Sequence, residues 1–442
     1  MSDQVETRDA VQERLTRLFG ERLRADWPSG EADITEIEER VARIEAEVSR
    51  EVTGAMIQEQ TGKRTGNRVD CPCGKGLAKY SKQATIPLVT AFGRIPTERA
   101  YFYCPKCRDG HCPQDHAWRI GPGRSTPTVQ SVVSYLAVKE AYGGVPWTLK
   151  RTQPTVHLGT TNVEQIAQAM GDRLRQARPL LTERATRPLV VAVDGTIILT
   201  RAGGKEVRCG VIYEPEWGAA RTPDACAGLR KEYFATLESR DKLIRTVCAQ
   251  VERRRPTPET KVSAMGDGAP WIWAGYAKHL PNRVEILDFY HLSEHLEVVG
   301  AAWYGEGTLR KKLWVAEMKG ALKGGGPGTL LRSVRAWKPK TKKAQQIKTR
   351  ELGYFRKNRE RMNYHVYLRD GLAIGTGSVE GACKFVVGGR FKGAGMRWNV
   401  ETAEPLLHLR AAILSYPDLD LRHYAGRPSR QKAATTATHM PA

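Results

Sequence analysis

Three short apolar runs in this chain each stop at an acid. Leu189-Val-Val-Ala-Val193 leads into Asp194-Gly-Thr, Lys261-Val-Ser-Ala-Met-Gly266 into Asp267-Gly-Ala-Pro-Trp271, and Arg283-Val-Glu-Ile-Leu287 into Asp288-Phe-Tyr-His291. Runs this short, rich in β-branched residues and broken by glycine or an acid, suit buried strands rather than helices. From 188 to 300 they alternate with helical patterns, which predicts a mixed α/β core. A carboxylate on or just after a buried strand caps the next helix, closes a turn or holds a cation.

A later segment, Gly375-Thr-Gly-Ser-Val-Glu380-Gly, reads as a glycine loop with Ser378 as helix cap and Glu380 in the first helical turn. Taken singly, each acid has an ordinary structural reading, and a first-turn Glu complements the helix dipole. The charge of the whole chain changes that. It carries 70 Lys+Arg against 48 Asp+Glu, a net +22 over 442 residues, and so large a basic excess points to a polyanionic partner. Acids beside glycine loops in the core of such a protein would repel phosphates unless they held a cation. Three carboxylates suit Mg²⁺ or Mn²⁺, and two such ions can clamp the attacking and leaving oxygens of a phosphoryl displacement. The expectation is phosphodiester chemistry on nucleic acid, with Asp194, Asp267 and Glu380 as ligands spaced by 73 and 113 residues. The second gap is too long for a minimal strand-helix unit, so an insertion must lie in it.

The charge is uneven. Residues 1–66 hold 10 Lys+Arg and 15 Asp+Glu, whereas residues 301–370 hold 18 and 5. That basic stretch is interleaved with Trp314, Trp337, Tyr354 and Tyr364, which suits phosphate contacts with ring stacking nearby. In the acidic segment Ile34, Ile37, Val41, Ile44 and Val48 mark an amphipathic helix capped by Asp33 or Thr35, its stripe expected to pack on its own domain rather than pair chains. Residues 68–118 read as strands with a turn at Phe92-Gly93. Residues 125–185 read as two helices around a Gly-Gly, Pro-containing connector, an arrangement shared by a DNA-binding helix-turn-helix and by helical hairpins with no DNA role. No stretch approaches the ~20 apolar residues of a membrane helix, and the acidic start lacks the features of a signal peptide. A cytoplasmic, nucleoid-associated protein without membrane contact is expected.

Cys71-Pro-Cys73-Gly and Cys104-Pro-Lys-Cys107 form two close pairs whose four thiolates would complete a closed tetrahedral zinc site. A C-x-C bite is short, so Cys112, His111 or His116 stand as alternative ligands. Cys209, Cys226, Cys248 and Cys383 are isolated and read as small core residues.

VVAVDGT, GDGAPWIW, DFYHLSEHL and GTGSVEGACKFVVGGRFKGAGMRWNVETAEPLLHLR together resemble the core motifs of DDE transposases of bacterial insertion sequences, nearest the ISKra type and more distantly the ISL and Mutator-like groups. The resemblance implies an RNase H-like catalytic core with an all-helical insertion before the final glutamate, preceded by a zinc-ribbon-like segment and a helical region. CPCG stands where that family's ribbon has CPxCG. The implied organisation is acidic helices over 1–66, the ribbon-like segment over 67–120, a helical DNA-binding region over 121–187, the first part of the core over 188–300, a basic helical insertion over 301–372, the final core helix over 373–416 and a disordered tail over 417–442. Asp194, Asp267 and Glu380 would be the metal-binding triad, and Asp288 and His291 match a D-x-x-H element that positions DNA or supports the ligands. Lys384, Arg390 and Lys392 would position the DNA backbone and Trp398 would stack on a base or fill the core. The implied activity is strand cleavage at transposon ends and strand transfer into target DNA, on double-stranded DNA, by a homodimer or larger synaptic complex. A catalytically silent, zinc-containing DNA-binding protein and a structure-specific nuclease are the alternatives.

Overall fold

A computed structural model of the chain describes residues 8–61, 66–179, 181–217, 226–375 and 381–426. The chain divides into two compact units, residues 1–176 with 420–442, and residues 177–419. Among the described residues no helix is long and apolar enough to cross a membrane.

The first unit opens with two helices, α1 (Arg8–Asp26) and α2 (Ile34–Gln60). Asp33 caps α2 by accepting from Glu36 N, so of the two candidate caps the aspartate is used. Four strands follow, β1 (Arg68–Asp70), β2 (Leu77–Thr90), β3 (Gly93–Cys104) and β4 (Asp109–His111), forming an antiparallel sheet in chain order. The β2–β3 hairpin pairs Thr90 with Gly93, so its turn is Ala91-Phe92, one residue earlier than expected. Gly93 adopts φ 108°, a conformation that an L side chain resists. Helices α3 (Pro113–Ala117), α4 (Pro127–Lys139), α5 (Val145–Thr152) and α6 (Thr160–Gln176) complete the unit. The connector expected between two helices thus contains a third, because Val145 and Leu149 bury one turn of it. The segment after 417 is not all extended tail: Leu421–Tyr424 forms a 3-10 turn, and Gly426 N donates to Gln130 Oε1 on α4 at 2.7 Å. Residues 427–442 lie outside the described residues.

The second unit is a mixed α/β structure. Strands β5 (Val190–Thr200), β6 (Gly203–Trp217) and β7 (Cys226–Thr236) form an antiparallel meander, and β8 (Val262–Gly266) and β9 (Arg283–Leu287) join β5 in parallel. The sheet order is β7-β6-β5-β8-β9. Every residue of β8 is buried, as a parallel strand covered on both faces requires. Between the strands run α7 (Arg240–Arg254) and α8 (Pro270–His279), and α9 (Phe289–Tyr304) follows β9.

A helical segment then intervenes: α10 (Leu309–Gly325), α11 (Gly328–Ala336), α12 (Lys342–Lys357) and α13 (Tyr364–Arg369). Here the expectation of open aromatic rings is overturned. Trp314, Trp337 and Tyr364 are buried, and the rings of Trp314 and Trp337 lie 5.8 and 5.5 Å from that of Trp303. Helical period places Trp314 on the same face as Val315, Met318 and Leu322 and turns Arg310, Lys312, Arg332, Lys342 and Lys343 outward. A π-helical turn (Cys383–Gly388) and the last helix, α14 (Val400–Ser415), end the unit, α14 lying on β7.

Under β6 and β7 lies a buried ionic network. Glu232, fully buried, accepts from Gln250 at 3.0 Å and Tyr416 at 2.5 Å, and Arg254 lies 3.7 Å from it and 3.6 Å from Glu214. Removing one member strands the others in low dielectric. Glu232→Ala is therefore expected to cost about 3–5 kcal/mol in chemical denaturation, and an unchanged midpoint would refute the coupling.

Candidate functional site

The parallel strands set the acids side by side. Ala192 pairs with Met265 and Gly266 with Leu287, so Asp194, Asp267 and Asp288 sit at one level. Asp267 and Asp288 follow the last residues of β8 and β9, whereas Asp194 lies inside β5, which does not stop at the acid but runs on to Thr200 against β6. That edge of an open α/β sheet is where ligands bind. The three acids are not equivalent in chemistry. Asp288 is buried and caps α9, accepting from His291 N at 2.8 Å, while its own N–H donates to Gly266 O at 3.0 Å.

Asp194 and Asp267 instead turn short local bonds inward. Asp194 Oδ1 accepts from Gly195 N at 2.6 Å and Asp267 Oδ1 from Ala269 N at 2.8 Å. Among the described residues neither forms an ion pair with Lys or Arg. Burial, and beyond it the charge of Asp267, raise the Asp194 carboxyl above the ordinary carboxylate range, against the opposing pull of Gly195, Cys383 and His291. Two carboxylates close enough for the charge of one to act on the other could hold a cation.

Several groups around this edge carry no sequence signal of their own. Cys383 Sγ donates to Asp194 Oδ2 at 3.7 Å, and its hydrogen bonding with Cys209, followed by burial and the charge of Asp194, pushes its thiol far up, so it is more than an isolated core residue. Cys209, across the ladder from Asp194, and Cys248 are fully buried. The side chain of Cys226 lies outside the described residues. Tyr354, on α12, donates from Oη to Asp267 O at 2.8 Å and stacks on His295 with ring centroids 3.8 Å apart. His295 Nδ1 in turn lies 2.5 Å from Oε2 of the buried Glu351. Tyr364 donates to Leu287 O at 2.9 Å and Tyr367 to Glu285 O at 3.3 Å. Three tyrosine hydroxyls thus tie the helical segment to the main chain at the ends of β8 and β9. His291 stands at the start of α9, 3.3 Å from Glu294, with its ring 5.0 Å from that of His295.

Glu380 and Ser378 lie outside the described residues. Just beyond them, the π turn frees main-chain carbonyls, and Arg410 Nε donates to Phe385 O at 3.0 Å and Val386 O at 2.8 Å. Lys384 is exposed on this turn. Lys392 is exposed as well and donates from Nζ to Thr196 Oγ1, two residues beyond Asp194. Arg390 and Trp398 are buried, the guanidinium 5.0 Å from the ring centroid, and Trp398 Nε1 donates to Phe391 O at 3.1 Å. Those two side chains belong to the packing.

The second candidate site lies in the first unit. The sulfurs of Cys71, Cys73, Cys104 and Cys107 all lie within 4.8 Å of one another. Cys71 and Cys107 are 3.7 Å apart and Cys73 and Cys104 4.0 Å. Four thiolates at about 2.3 Å from one tetrahedral ion would stand about 3.8 Å apart, so the cluster could hold a metal such as zinc. The short C-x-C bite works because Gly74, at φ 67°, folds the chain back, with its N–H on Cys71 O at 3.0 Å and Lys75 N on Cys73 Sγ at 3.4 Å. The alternative ligands are not used: Cys112 and His111 are outside the cluster, as is His116. Main-chain N–H groups of Cys107 and Lys106 lower the Cys104 thiol to about 7, and burial raises Cys71 to about 12.

A family model described as an uncharacterised protein family, UPF0236, matches residues 30–420. No curated protein matches the chain.

Proposed function

We propose, for a chain that belongs to the uncharacterised protein family UPF0236, a DDE-type transposase that cuts DNA strands at transposon ends and joins them to target DNA. The observation that carries this reading is the pair Asp194 and Asp267, brought to one level where the parallel pairing of β5 with β8 ends and left without a Lys or Arg partner among the described residues. The order β7-β6-β5-β8-β9, a meander continued by two parallel strands, supports an RNase H-like core. The helices between α9 and the π turn then correspond to its all-helical insertion, and Glu380 to the third acid.

The donor set fits hard divalent cations, since both groups are carboxylates. Bound there, Mg²⁺ or Mn²⁺ would supply Lewis acidity, lowering the pKa of a water or hydroxyl nucleophile and stabilising the leaving 3′-oxygen. Asp194, Asp267 and Glu380 would hold the ions. Asp288, as the cap of α9, would fix the first helical turn that carries His291. Lys384 and Lys392 offer charge to the DNA backbone near the acids, and the outward cations of the helical insertion extend that surface. The β1–β4 sheet, with its four cysteines, would act as a zinc ribbon that organises a DNA-contacting or docking module.

The test is a cleavage assay on labelled duplex taken from the gene's own flanks, with wild type and Glu380→Gln. Nicks bearing a 3′-hydroxyl at one defined site, in Mg²⁺ or Mn²⁺ and in wild type alone, are the expected result. Tight binding without a nick under either metal would favour a silent DNA-binding protein. Nicks set by DNA structure rather than by a defined end sequence would favour a nuclease.

A further inference from the structure

Tyr354 is one of the rings that the sequence offered for base stacking, and the fold spends it elsewhere. Its side chain leaves α12 for the turn that carries Asp267. Oη donates to Asp267 O at 2.8 Å, and the ring lies so close to Gly268 that a Cβ there would stand 2.7 Å from Cε2 and 3.0 Å from Oη. Gly268 sits at φ 98°, a conformation that L side chains rarely adopt. The freedom of a glycine makes the peptide between Asp267 and Gly268 easy to rotate, and rotation would swing the backbone of Asp267 and with it the carboxylate. Tyr354 opposes that rotation twice, by holding the carbonyl oxygen and by filling the space beside the glycine.

The ring is itself held. His295 of α9 stacks on it with centroids 3.8 Å apart and planes 17° apart, and His295 Nδ1 lies 2.5 Å from Oε2 of Glu351, which precedes Tyr354 by one turn of α12. Glu351 is 1% exposed, and its other oxygen accepts from Arg350 Nε at 2.7 Å. Burial, and beyond it the charges of Asp267 and Asp288, push the Tyr354 phenol far up, so its hydroxyl remains a donor at neutral pH.

We propose that Tyr354 is a positioning residue for a divalent cation at Asp194 and Asp267: by fixing the main chain of Asp267 from the helical segment, it sets the affinity of the carboxylates for the ion. The helical segment is then a support of the cation site as well as a basic surface. The hydroxyl meets the main chain of Asp267 and not the carboxylate, so its effect falls on affinity rather than on the chemistry. This rests on the reading of the two carboxylates as metal ligands, and the experiment separates one from the other.

Mn²⁺ binding to the full-length protein, purified with zinc in the medium, is followed by loss of the free-ion electron paramagnetic resonance signal. Wild type is expected to bind, Asp194→Asn to lose the binding, and Tyr354→Phe, which keeps the ring and removes the hydroxyl, to bind about tenfold more weakly. His295→Asn leaves Tyr354 in place and removes the stack, and should weaken binding in the same direction by less. In the cleavage assay, the Mn²⁺ concentration for half-maximal nicking by Tyr354→Phe should rise by the same factor. The rate at saturating Mn²⁺ and the affinity for duplex should stay those of wild type, a split that a general loss of structure would not give. A wild type that binds no Mn²⁺, or an Asp194→Asn protein that binds as wild type does, overturns the reading of the carboxylates. Equal Mn²⁺ affinity in wild type and Tyr354→Phe, beside an Asp194→Asn protein that does not bind, overturns the positioning role alone.

Discussion

Asp194→Asn is expected to abolish metal-dependent strand cleavage, by at least about a thousandfold, while leaving DNA binding intact and raising the melting temperature of the metal-free protein. The last two effects separate a catalytic carboxylate from a structural one. Burial and Asp267 raise the folded-state pKa of Asp194 above its unfolded value. An acid shifted in that direction destabilises the fold wherever it is ionised, so its neutral isostere removes a penalty at neutral pH. The penalty fades as pH falls through the folded-state pKa and vanishes below the ordinary carboxyl range, so the two melting temperatures should converge below about pH 4. Added Mg²⁺ or Mn²⁺ should raise the wild-type melting temperature by binding the folded state alone, and should leave the variant almost unmoved. Scanning calorimetry across pH, run beside the cleavage assay, measures all of this. A variant that melts lower than wild type without metal and still nicks DNA would sink the assignment.

The acids were legible as a set, because three short β-branched runs each lead into a carboxylate in a strongly basic chain, although β5 itself does not stop at Asp194 but continues to Thr200. Their register was not. Nothing in the spacing from Asp194 to Asp267 says that β5 and β8 are neighbours, since that follows from the parallel pairing of Ala192 with Met265. The helical insertion was legible from its length and charge, whereas its rings were misplaced. Trp314 and Tyr364 sit among lysines and arginines in sequence, yet helical period sends the rings inward and the cations outward.

The supports of the site were the least visible part. Tyr354, Tyr364 and Tyr367 act through hydroxyls that meet main-chain carbonyls from a distant segment, and a main-chain acceptor leaves no mark on the residue that supplies it. Cys383 illustrates the same limit. A lone thiol in sequence reads as a small hydrophobe, and only the fold puts it against Asp194.

Cys104→Ser is expected to lose the bound metal and unfold the β1–β4 sheet locally. Few apolar side chains stabilise this end of the sheet: Ala78 and Phe102 form its buried cluster together with the cysteines themselves. Structural zinc in modules of comparable size contributes about 10–16 kcal/mol of apparent binding energy at neutral pH, far more than so small a core supplies. Ser replaces a soft thiolate by a neutral hydroxyl, which leaves three ligands and an unfilled position. Cys104 is the informative choice because its thiol is already lowered to about 7, by N–H groups of Cys107 and Lys106, so it enters the thiolate form most readily. Elemental analysis should find one zinc per wild-type chain and a large loss in the variant. Limited proteolysis should then cut between residues 67 and 112 in Cys104→Ser and in chelator-treated wild type, but not in the zinc-loaded protein. The cleavage proposed for the second unit would rest on other residues, so Mg²⁺-dependent nicking of a pre-bound duplex is expected to survive better than recognition of the duplex. Wild type purified with zinc in the medium yet free of metal, and equally resistant to protease with or without chelator, would show that the four sulfurs meet without an ion.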